Sequence, residues 1–236
     1  MKITIIYDNQ ADEGFKFGWG FSCLVNQRIL FDTGEAPEPL FHNMDRLKVN
    51  INKIEAVVIS HDHWDHTDGL WELLKKRKGL RVYACPGFSR KFKNKVKKHQ
   101  GFLIEAETHL EIGQNISITG EIEGEYGGSR MPEQALVIKT ERGITIITGC
   151  SHPGIVTMIK KVIEFFPQKR ISAVLGGFHL ITHDRDRIQS IAASMKNMGV
   201  ENVGPTHCSG QDAQMIFKES YGEHFLSIRA GGIFEI

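Results

Sequence analysis

The chain has 236 residues, of which 41% are hydrophobic and 24% are charged. This composition is typical of a folded globular protein, and we expect one α/β domain over residues 1–236. The formal net charge of +1 excludes a strong overall attraction to nucleic acid or to a membrane surface. No apolar run approaches the ~18 residues of a membrane-spanning helix, and no secretion signal begins the sequence, so we expect a cytoplasmic protein.

The first part of the chain is predicted to alternate strands and helices. Hydrophobic runs and turn residues predict strands over residues 2–7, 21–25, 29–31, 54–59 and 82–83, and helices over residues 40–47, 67–78 and 89–98. Gly69 has no side chain and would allow the helix over residues 67–78 to approach a functional site closely. The strand over residues 54–59 leads directly into a loop rich in histidine and aspartate.

That loop reads H-D-H-W-D-H and concentrates four potential metal ligands in six positions: His61, His63, Asp65 and His66. Neutral imidazole and carboxylate are the ligand types that divalent ions such as Zn²⁺ prefer. In a tightly turning loop, His61 and His63 would lie on one side and bind one ion, whereas Asp65 and His66 would point at a second. The spacing therefore predicts a two-metal site.

The segment that follows is strongly basic. Between residues 75 and 100 there are eleven Lys or Arg residues and no acid. The simplest interpretation is a solvated basic helix over residues 89–98, and the alternative is a rim that attracts a phosphate group toward the active site. Because few aromatic residues interleave with these charges, we do not expect nucleic acid as a partner.

The second half of the chain repeats the order of strand, polar loop and helix. Strands are predicted over residues 111–121, 134–140, 144–148, 172–175 and 202–205, helices over residues 155–165 and 185–198, and a Gly-rich loop over residues 123–131 near a substrate entrance. Three of these strands lead into loops that contain His152, His179 and His207. Ligands commonly bind at the carboxyl ends of strands in α/β proteins, so these loops are candidate parts of the site.

Four cysteines are widely separated and form no C-x-x-C pair, which argues against a thiolate zinc knuckle. Cys150 and Cys208 each lie within two residues of a candidate ligand histidine. Each of these two cysteines either has a functional role or packs as a small residue in the interior.

At the level of motifs, the H-x-H-x-D-H loop resembles the signature of the metallo-β-lactamase-fold hydrolase superfamily. Four further motifs occur in the order expected of that family. F-D-T-G precedes this loop, and G-C-S-H-P-G, G-G-F-H-L and P-T-H-C-S-G come after it. The pattern is similar to the branch labelled 7,8-dihydropterin-6-methyl-4-(β-D-ribofuranosyl)aminobenzene-5′-phosphate synthase-like. The resemblance implies an α/β fold of the metallo-β-lactamase type, a four-layer αββα sandwich of two pseudo-equivalent halves.

The resemblance also implies the ligand set. His61 and His63 would bind the first metal, and Asp65, His66 and His207 the second. The family usually has another histidine for the first metal and a bridging aspartate at the position of Cys150, and this chain departs from both. We assign His152 as the missing ligand of the first metal. The departure leaves occupancy by one metal and ligation by the soft sulfur of Cys150 open.

The implied cofactors are two divalent metal ions, with zinc preferred and manganese or iron as alternatives. The implied reaction is metal-assisted hydrolysis, in which the ions lower the pKa of a shared water and fix it as hydroxide. Asp65 would orient that hydroxide. His179 would donate a proton to the leaving oxygen or hold a phosphate, although a lone histidine is more often structural. Asp32 would support the metal loop from behind; its alternative role is to form a turn.

The expected substrate is a phosphate ester or phosphodiester of a small pterin-like or nucleotide-like metabolite. A lactone, thioester or β-lactam would need the same metals with a different pocket. The alternative function is a metal-containing nucleotide- or flavin-binding protein or sensor that does not hydrolyse its ligand. A di-iron redox protein is disfavoured by His63. We expect no membrane partner, and a homodimer stays open.

Overall fold

The computed structural model describes all residues, 1–236, and contains fifteen strands and six α-helices. The strands are β1 Lys2–Tyr7, β2 Ser22–Val25, β3 Ile29–Phe31, β4 Ala56–Val58, β5 Arg81–Ala84, β6 Phe102–Glu105, β7 Leu110–Gly113, β8 Ile116–Ile118, β9 Glu125–Tyr126, β10 Ser129–Arg130, β11 Leu136–Thr140, β12 Gly143–Thr148, β13 Ile171–Gly177, β14 Val200–Thr206 and β15 Ile233–Glu235. The helices are α1 Pro37–Arg46, α2 Trp64–Lys76, α3 Arg90–Lys98, α4 Ile155–Phe165, α5 Arg185–Asn197 and α6 Gln211–Tyr221. The predicted α/β class is confirmed. No helix combines the length and the apolar character that crossing a membrane would require.

The chain divides into two compact units, and the first comprises residues 1–107 and 229–236. Its sheet has seven strands in the order β15-β1-β2-β3-β4-β5-β6. The pairs β3–β4, β4–β5 and β5–β6 are parallel. The pairs β15–β1, β1–β2 and β2–β3 are antiparallel. Apolar residues of α1, α2 and α3 share one buried core with residues of these strands. The helices of this unit therefore pack against antiparallel as well as parallel strands of the sheet.

Helix α2 lies unusually close to the chain that follows β3. A Cβ atom on Gly69 would stand 2.2 Å from the carbonyl oxygen of Thr33, so only glycine fits at this contact. This confirms the expected close approach. The helix begins at Trp64, three residues earlier than predicted, so that Asp65 and His66 lie in its first turn. Tertiary contacts, and not hydrophobic periodicity, hold this turn.

The second unit comprises residues 108–228. Its sheet has six strands in the order β14-β13-β12-β11-β8-β7, of which β12, β13 and β14 are parallel. Apolar residues of α4, α5 and α6 pack into one core with the strands of this sheet. The predicted Gly-rich loop over residues 123–131 contains the short hairpin of β9 and β10. The parallel strands again end beside one another, and their loops carry the candidate residues of this unit.

Candidate metal centre

The first group of candidate ligands follows strand β4. Strands β3 and β4 are parallel with Phe31 opposite Val58, so the chain leaves both strands at the same edge of the sheet. The metal-binding atoms of His61, His63 and Asp65 all lie within 4.8 Å of one another. Ligands about 2.0–2.2 Å from a tetrahedral zinc ion lie within ~4 Å of each other, so the spacing of this group is near that of a metal-binding set.

The fourth predicted ligand of the loop, His66, lies in the same cluster. Its ring centroid is 4.2 Å from that of His61, and its Nε2 is 3.7 Å from Oδ2 of Asp65. His61 and His66 are fully buried, and Asp65 is 6% exposed. Buried imidazoles and a buried carboxylate are unfavourable unless they are hydrogen-bonded, paired or coordinated to a metal.

Asp32 is fully buried behind this loop and accepts three hydrogen bonds. The backbone N–H of Ser60 donates to Oδ1 at 2.7 Å, and the Ser60 hydroxyl donates to Oδ2 at 2.7 Å. Nδ1 of His66 lies 2.7 Å from the same Oδ2. Since an ionised carboxylate can only accept, Nδ1 of His66 carries the proton and Nε2 keeps its lone pair.

The same carboxylate also sets the tautomer of His61. The Ser60 hydroxyl has one proton, which it donates to Asp32, and its oxygen lies 2.9 Å from Nδ1 of His61. Nδ1 of His61 is therefore the donor to Ser60, and its Nε2 also keeps a lone pair. One buried carboxylate thus prepares two imidazoles to act as metal ligands through Nε2.

The second unit gathers a separate set of candidate residues. Thr148 of β12 lies opposite Gly176 of β13, and Gly177 lies opposite Thr206 of β14, so the three loops emerge together. The metal-binding atoms of Cys150, His179 and Cys208 lie within 4.8 Å of one another. A glycine is required between them, because a Cβ atom on Gly177 would stand 2.7 Å from Sγ of Cys208.

The predicted histidines of this unit lie in or beside this set. The ring centroids of His152 and His179 are 4.6 Å apart. His207 follows β14 directly, is 3% exposed and precedes Cys208 in a short 3-10 helix. Burial alone would raise the pKa of the Cys208 thiol, but hydrogen bonding from Cys150 and the nearby His207 hold that pKa well below its usual value. The set is therefore suited to soft as well as borderline metals.

Four of these positions adopt a left-handed backbone conformation. The φ angles are 53° at Asp32, 65° at Ser151, 52° at His179 and 50° at His207. Such a conformation costs about 1–2 kcal/mol for a residue with a side chain. Each of the four follows a strand end, so the strain is concentrated where the chain turns away from the sheet to present a loop.

Glu133 is a buried residue of the site that the sequence analysis missed. Its Oε1 accepts hydrogen bonds from the backbone N–H groups of Gly149 at 3.1 Å, Cys150 at 2.9 Å and Ser151 at 2.9 Å. Its Oε2 accepts from the N–H of His152 at 2.8 Å. One carboxylate thus holds four consecutive peptide groups of the loop after β12, much as Asp32 holds the loop after β4.

Tyr126 of the β9–β10 hairpin is a second residue that the sequence analysis did not single out. Its ring centroid lies 5.1 Å from that of His152 and 5.5 Å from that of His179. Both contacts are edge-to-face, a favourable geometry for aromatic rings. The only sequence signal for Tyr126 was its position in the Gly-rich loop over residues 123–131, which was expected to lie near a substrate entrance.

His109, which was not assigned as a ligand, packs elsewhere in the second unit. Its ring centroid lies 5.0 Å from that of Phe165 and 5.3 Å from that of Phe166, at the end of α4. Burial lowers the pKa of His109 below its usual 6.5. This histidine is part of an aromatic cluster, and the missing family histidine is not replaced by it.

Comparison with known proteins places this geometry in a family. A profile described as Beta-lactamase superfamily domain matches residues 27–126. A protein of Methanocaldococcus jannaschii described as 7,8-dihydropterin-6-methyl-4-(beta-D-ribofuranosyl)-aminobenzene-5′-phosphate synthase is 32% identical, over 89% of this chain and 84% of the relative. The chain belongs to the metallo-β-lactamase superfamily. The resemblance expected from the motifs is confirmed, and the protein is an enzyme of this superfamily.

Solved structures of the superfamily confirm the predicted fold. Tm1679, described as a metal-dependent hydrolase of the beta-lactamase superfamily, matches with a TM-score of 0.85 and 30% identity over 100% of this chain and 99% of its own. YhfI from Bacillus subtilis, described as a metallo-beta-lactamase fold protein, matches with a TM-score of 0.68 at 16% identity, over 99% of this chain and 98% of its own. The second match is a likeness of fold alone.

Proposed function

We propose that this enzyme is a metal-dependent hydrolase that cleaves a phosphate ester or phosphodiester of a small pterin-like or nucleotide-like metabolite. The observation that carries the metal dependence is the buried Asp32 carboxylate, whose hydrogen bonds leave Nε2 of His61 and Nε2 of His66 available as ligands. The phosphorylated substrate is supported by the relative from Methanocaldococcus jannaschii, whose name describes synthesis of a compound that carries a 5′-phosphate.

The proposed cofactors are two divalent metal ions, zinc in the first instance, with manganese and iron as alternatives. The proposed ligands are His61, His63, Asp65, His66, His152 and His207. When bound, the ions supply a coordinated water of lowered pKa and a positive charge that polarises a phosphoryl oxygen.

The remaining roles fall to the side chains of the enzyme. In the proposal, Asp65 accepts a hydrogen bond from the attacking water and so orients its lone pair toward phosphorus. His179 donates a proton to the leaving oxygen. Asp32 and Glu133 fix the two loops from behind. Cys150 occupies the position of the usual bridging aspartate and is proposed either to line the site or to bind a metal through sulfur.

The metal content of the purified protein tests the first part of this proposal. Protein prepared without a metal-affinity column is analysed by plasma mass spectrometry, together with His61→Ala, His152→Ala and the control His42→Ala. His42 contacts the backbone carbonyl of Gly14 and lies outside the ligand set. We expect about two equivalents in wild type and in the control, and loss of at least one in each ligand variant. Wild-type content that His152→Ala leaves unchanged would overturn the assignment of His152.

Turnover tests the second part. The protein is tested with four substrates, each with and without a chelator. They are bis(p-nitrophenyl) phosphate, a phosphate monoester, a lactone and a thioester. We expect hydrolysis of a phosphate ester that stops with the chelator and returns when zinc or manganese is added. Cleavage of the lactone or thioester alone would replace the phosphate proposal. An intact nucleotide or flavin that copurifies, without turnover of any substrate, would favour the alternative of a binding protein.

A further inference from the structure

A cavity of about 350 Å³ lies within the second unit, beside the first turn of helix α4. This volume falls in the range of small-molecule sites. Its lining comes from the loop after β12, the first turn of α4, the loop after β13 and helix α5, and it includes His152, His179, His183 and Arg187. Only part of this lining belongs to the proposed metal and proton-transfer residues.

The polar side of the lining has one sign of charge. It contains Arg187 and three histidines but no aspartate or glutamate. The nearby Asp184 caps α5 by accepting from the N–H of Arg187, and neither Asp184 nor Asp186 lines the cavity. A concave surface with a guanidinium and imidazoles and without carboxylates attracts anions.

Arg187 is distinguished from its neighbours by its lack of an acidic partner. Arg185, two residues earlier on the same helix, forms an ion pair with Glu219 at 3.0 Å. Arg187 is exposed and takes part in no ion pair. A guanidinium presents up to five N–H donors in a planar fork that matches phosphate oxygens, and here that fork is available to a ligand.

The lining of the cavity also has an apolar part. It includes Phe178 and Leu180, which are almost fully buried, together with Ile155 and Ile191. An inorganic ion alone would leave these apolar side chains without a partner. The ligand that matches the whole lining carries a phosphate and an organic body.

We infer that this cavity binds the terminal phosphate monoester of the substrate, held by Arg187 and His183, while the organic body contacts the apolar residues of the lining. The inference rests on the proposed function, because it describes a second phosphate contact of the same substrate. Arg187 is then a residue that determines specificity and takes no part in bond cleavage.

Titrations followed by nuclear magnetic resonance test the site directly. The full chain, labelled with ¹⁵N and loaded with zinc, is titrated with ribose 5-phosphate, with ribose and with inorganic phosphate. We expect saturable shifts of the backbone amides of residues 154–157 and of the side-chain Nε of Arg187 with ribose 5-phosphate, and weaker binding of inorganic phosphate. Ribose alone should cause no saturable shift, and an equal response to ribose would overturn the inference.

Two arginine variants supply the matched comparison. Arg187→Ala should weaken binding of ribose 5-phosphate about tenfold or more, whereas Arg185→Ala, which removes an arginine outside the cavity, should leave it unchanged. Both positions are exposed, so both variants are expected to fold, and their spectra verify this. Equal affinity in Arg187→Ala and Arg185→Ala would overturn the inference.

A third variant separates this inference from the proposed function. His61→Ala is expected to lose metal and turnover, but His61 belongs to the first unit and is not part of the cavity. Shifts at residues 154–157 that persist in His61→Ala support the cavity site whether or not the protein hydrolyses a phosphate ester. Loss of these shifts in His61→Ala, with retention in Arg187→Ala, would show phosphate binding at the metals alone and overturn the inference.

Discussion

Nδ1 of His66 lies 2.7 Å from Oδ2 of Asp32, and both side chains are fully buried. The same carboxylate reaches His61 through the hydroxyl of Ser60. The proton positions of two imidazoles therefore depend on one acid that is itself not a proposed ligand. Such dependence can be tested by changing the acid without changing its size.

Asp32→Asn is expected to weaken metal binding about 10- to 100-fold, because an amide in this position cannot accept all three hydrogen bonds and disturbs the orientation of His66. Competition with a chromophoric chelator measures the affinity. Asp45→Asn, an exposed aspartate on α1, serves as the control. Equal affinities of the two variants would show that Asp32 acts only as a turn residue.

Glu133→Gln is expected to lower the free energy of unfolding by about 1.5–3 kcal/mol, because the carboxylate accepts four backbone N–H groups and an amide nitrogen cannot accept any. Urea unfolding measures the change, provided that the slope with denaturant stays constant. Glu111→Gln breaks an exposed ion pair with Lys139 and should leave stability almost unchanged, because exposed ion pairs contribute little. A loss no larger than that of the control would contradict the role of Glu133.

Gly69→Ala is expected to destabilise the protein by about 1–3 kcal/mol, although alanine favours helix formation by about 1 kcal/mol. The reason is steric, since the added Cβ would stand 2.2 Å from the backbone oxygen of Thr33. A backbone oxygen cannot move away by a change of side-chain rotamer. At Gly113 the nearest atom to an added Cβ is 3.8 Å away, so Gly113→Ala should be close to neutral. Thermal unfolding of both variants decides this, and similar midpoints would refute the close contact.

The pH dependence of stability should include a contribution from His109. Burial lowers its pKa below the usual 6.5, with Lys139 acting in the same direction and Glu111 in the opposite one. The unfolded chain therefore binds the proton more readily, and stability that is full above about pH 6.5 is lost as the pH falls through the folded-state pKa. The free energy of unfolding is measured for wild type and for His109→Gln between about pH 7.5 and about pH 5. It should fall more steeply in wild type than in His109→Gln as the pH is lowered. Parallel curves would show that His109 is not desolvated.

Local sequence signals were sufficient for the elements that bury a continuous apolar face. Strand β1 and helix α4 have the predicted bounds, and strands β12 and β13 lie within two residues of theirs. Helix α6 and strands β6 and β15 were not predicted. Strand β15 has only three residues, and its pairing partner is β1 at the other end of the chain, so no local pattern marks it.

The candidate site likewise contains residues that local sequence patterns predict and residues that only tertiary contacts determine. Residues of the H-D-H-W-D-H loop could be chosen from the sequence because histidine and aspartate seldom cluster so densely after a buried strand unless they bind a metal. Glu133 could not, because it is an ordinary acid in its own segment and becomes important only through peptide groups that lie 16–19 residues further along. Residues that support a loop from behind are determined by tertiary contacts, and a single sequence carries little sign of them.

The pairing of β1 with β15 has a consequence for biosynthesis. Lys2 pairs with Glu235, so β1 leaves the ribosome more than 200 residues before its partner strand. Until then β1 has an open edge, whereas residues 108–228 are contiguous and can fold as soon as they emerge. An unpaired edge strand is a site for association with other chains, and this edge stays exposed while residues 108–228 are synthesised. We therefore expect aggregation during rapid expression to begin in the first unit, and slower synthesis or lower temperature to raise the soluble yield.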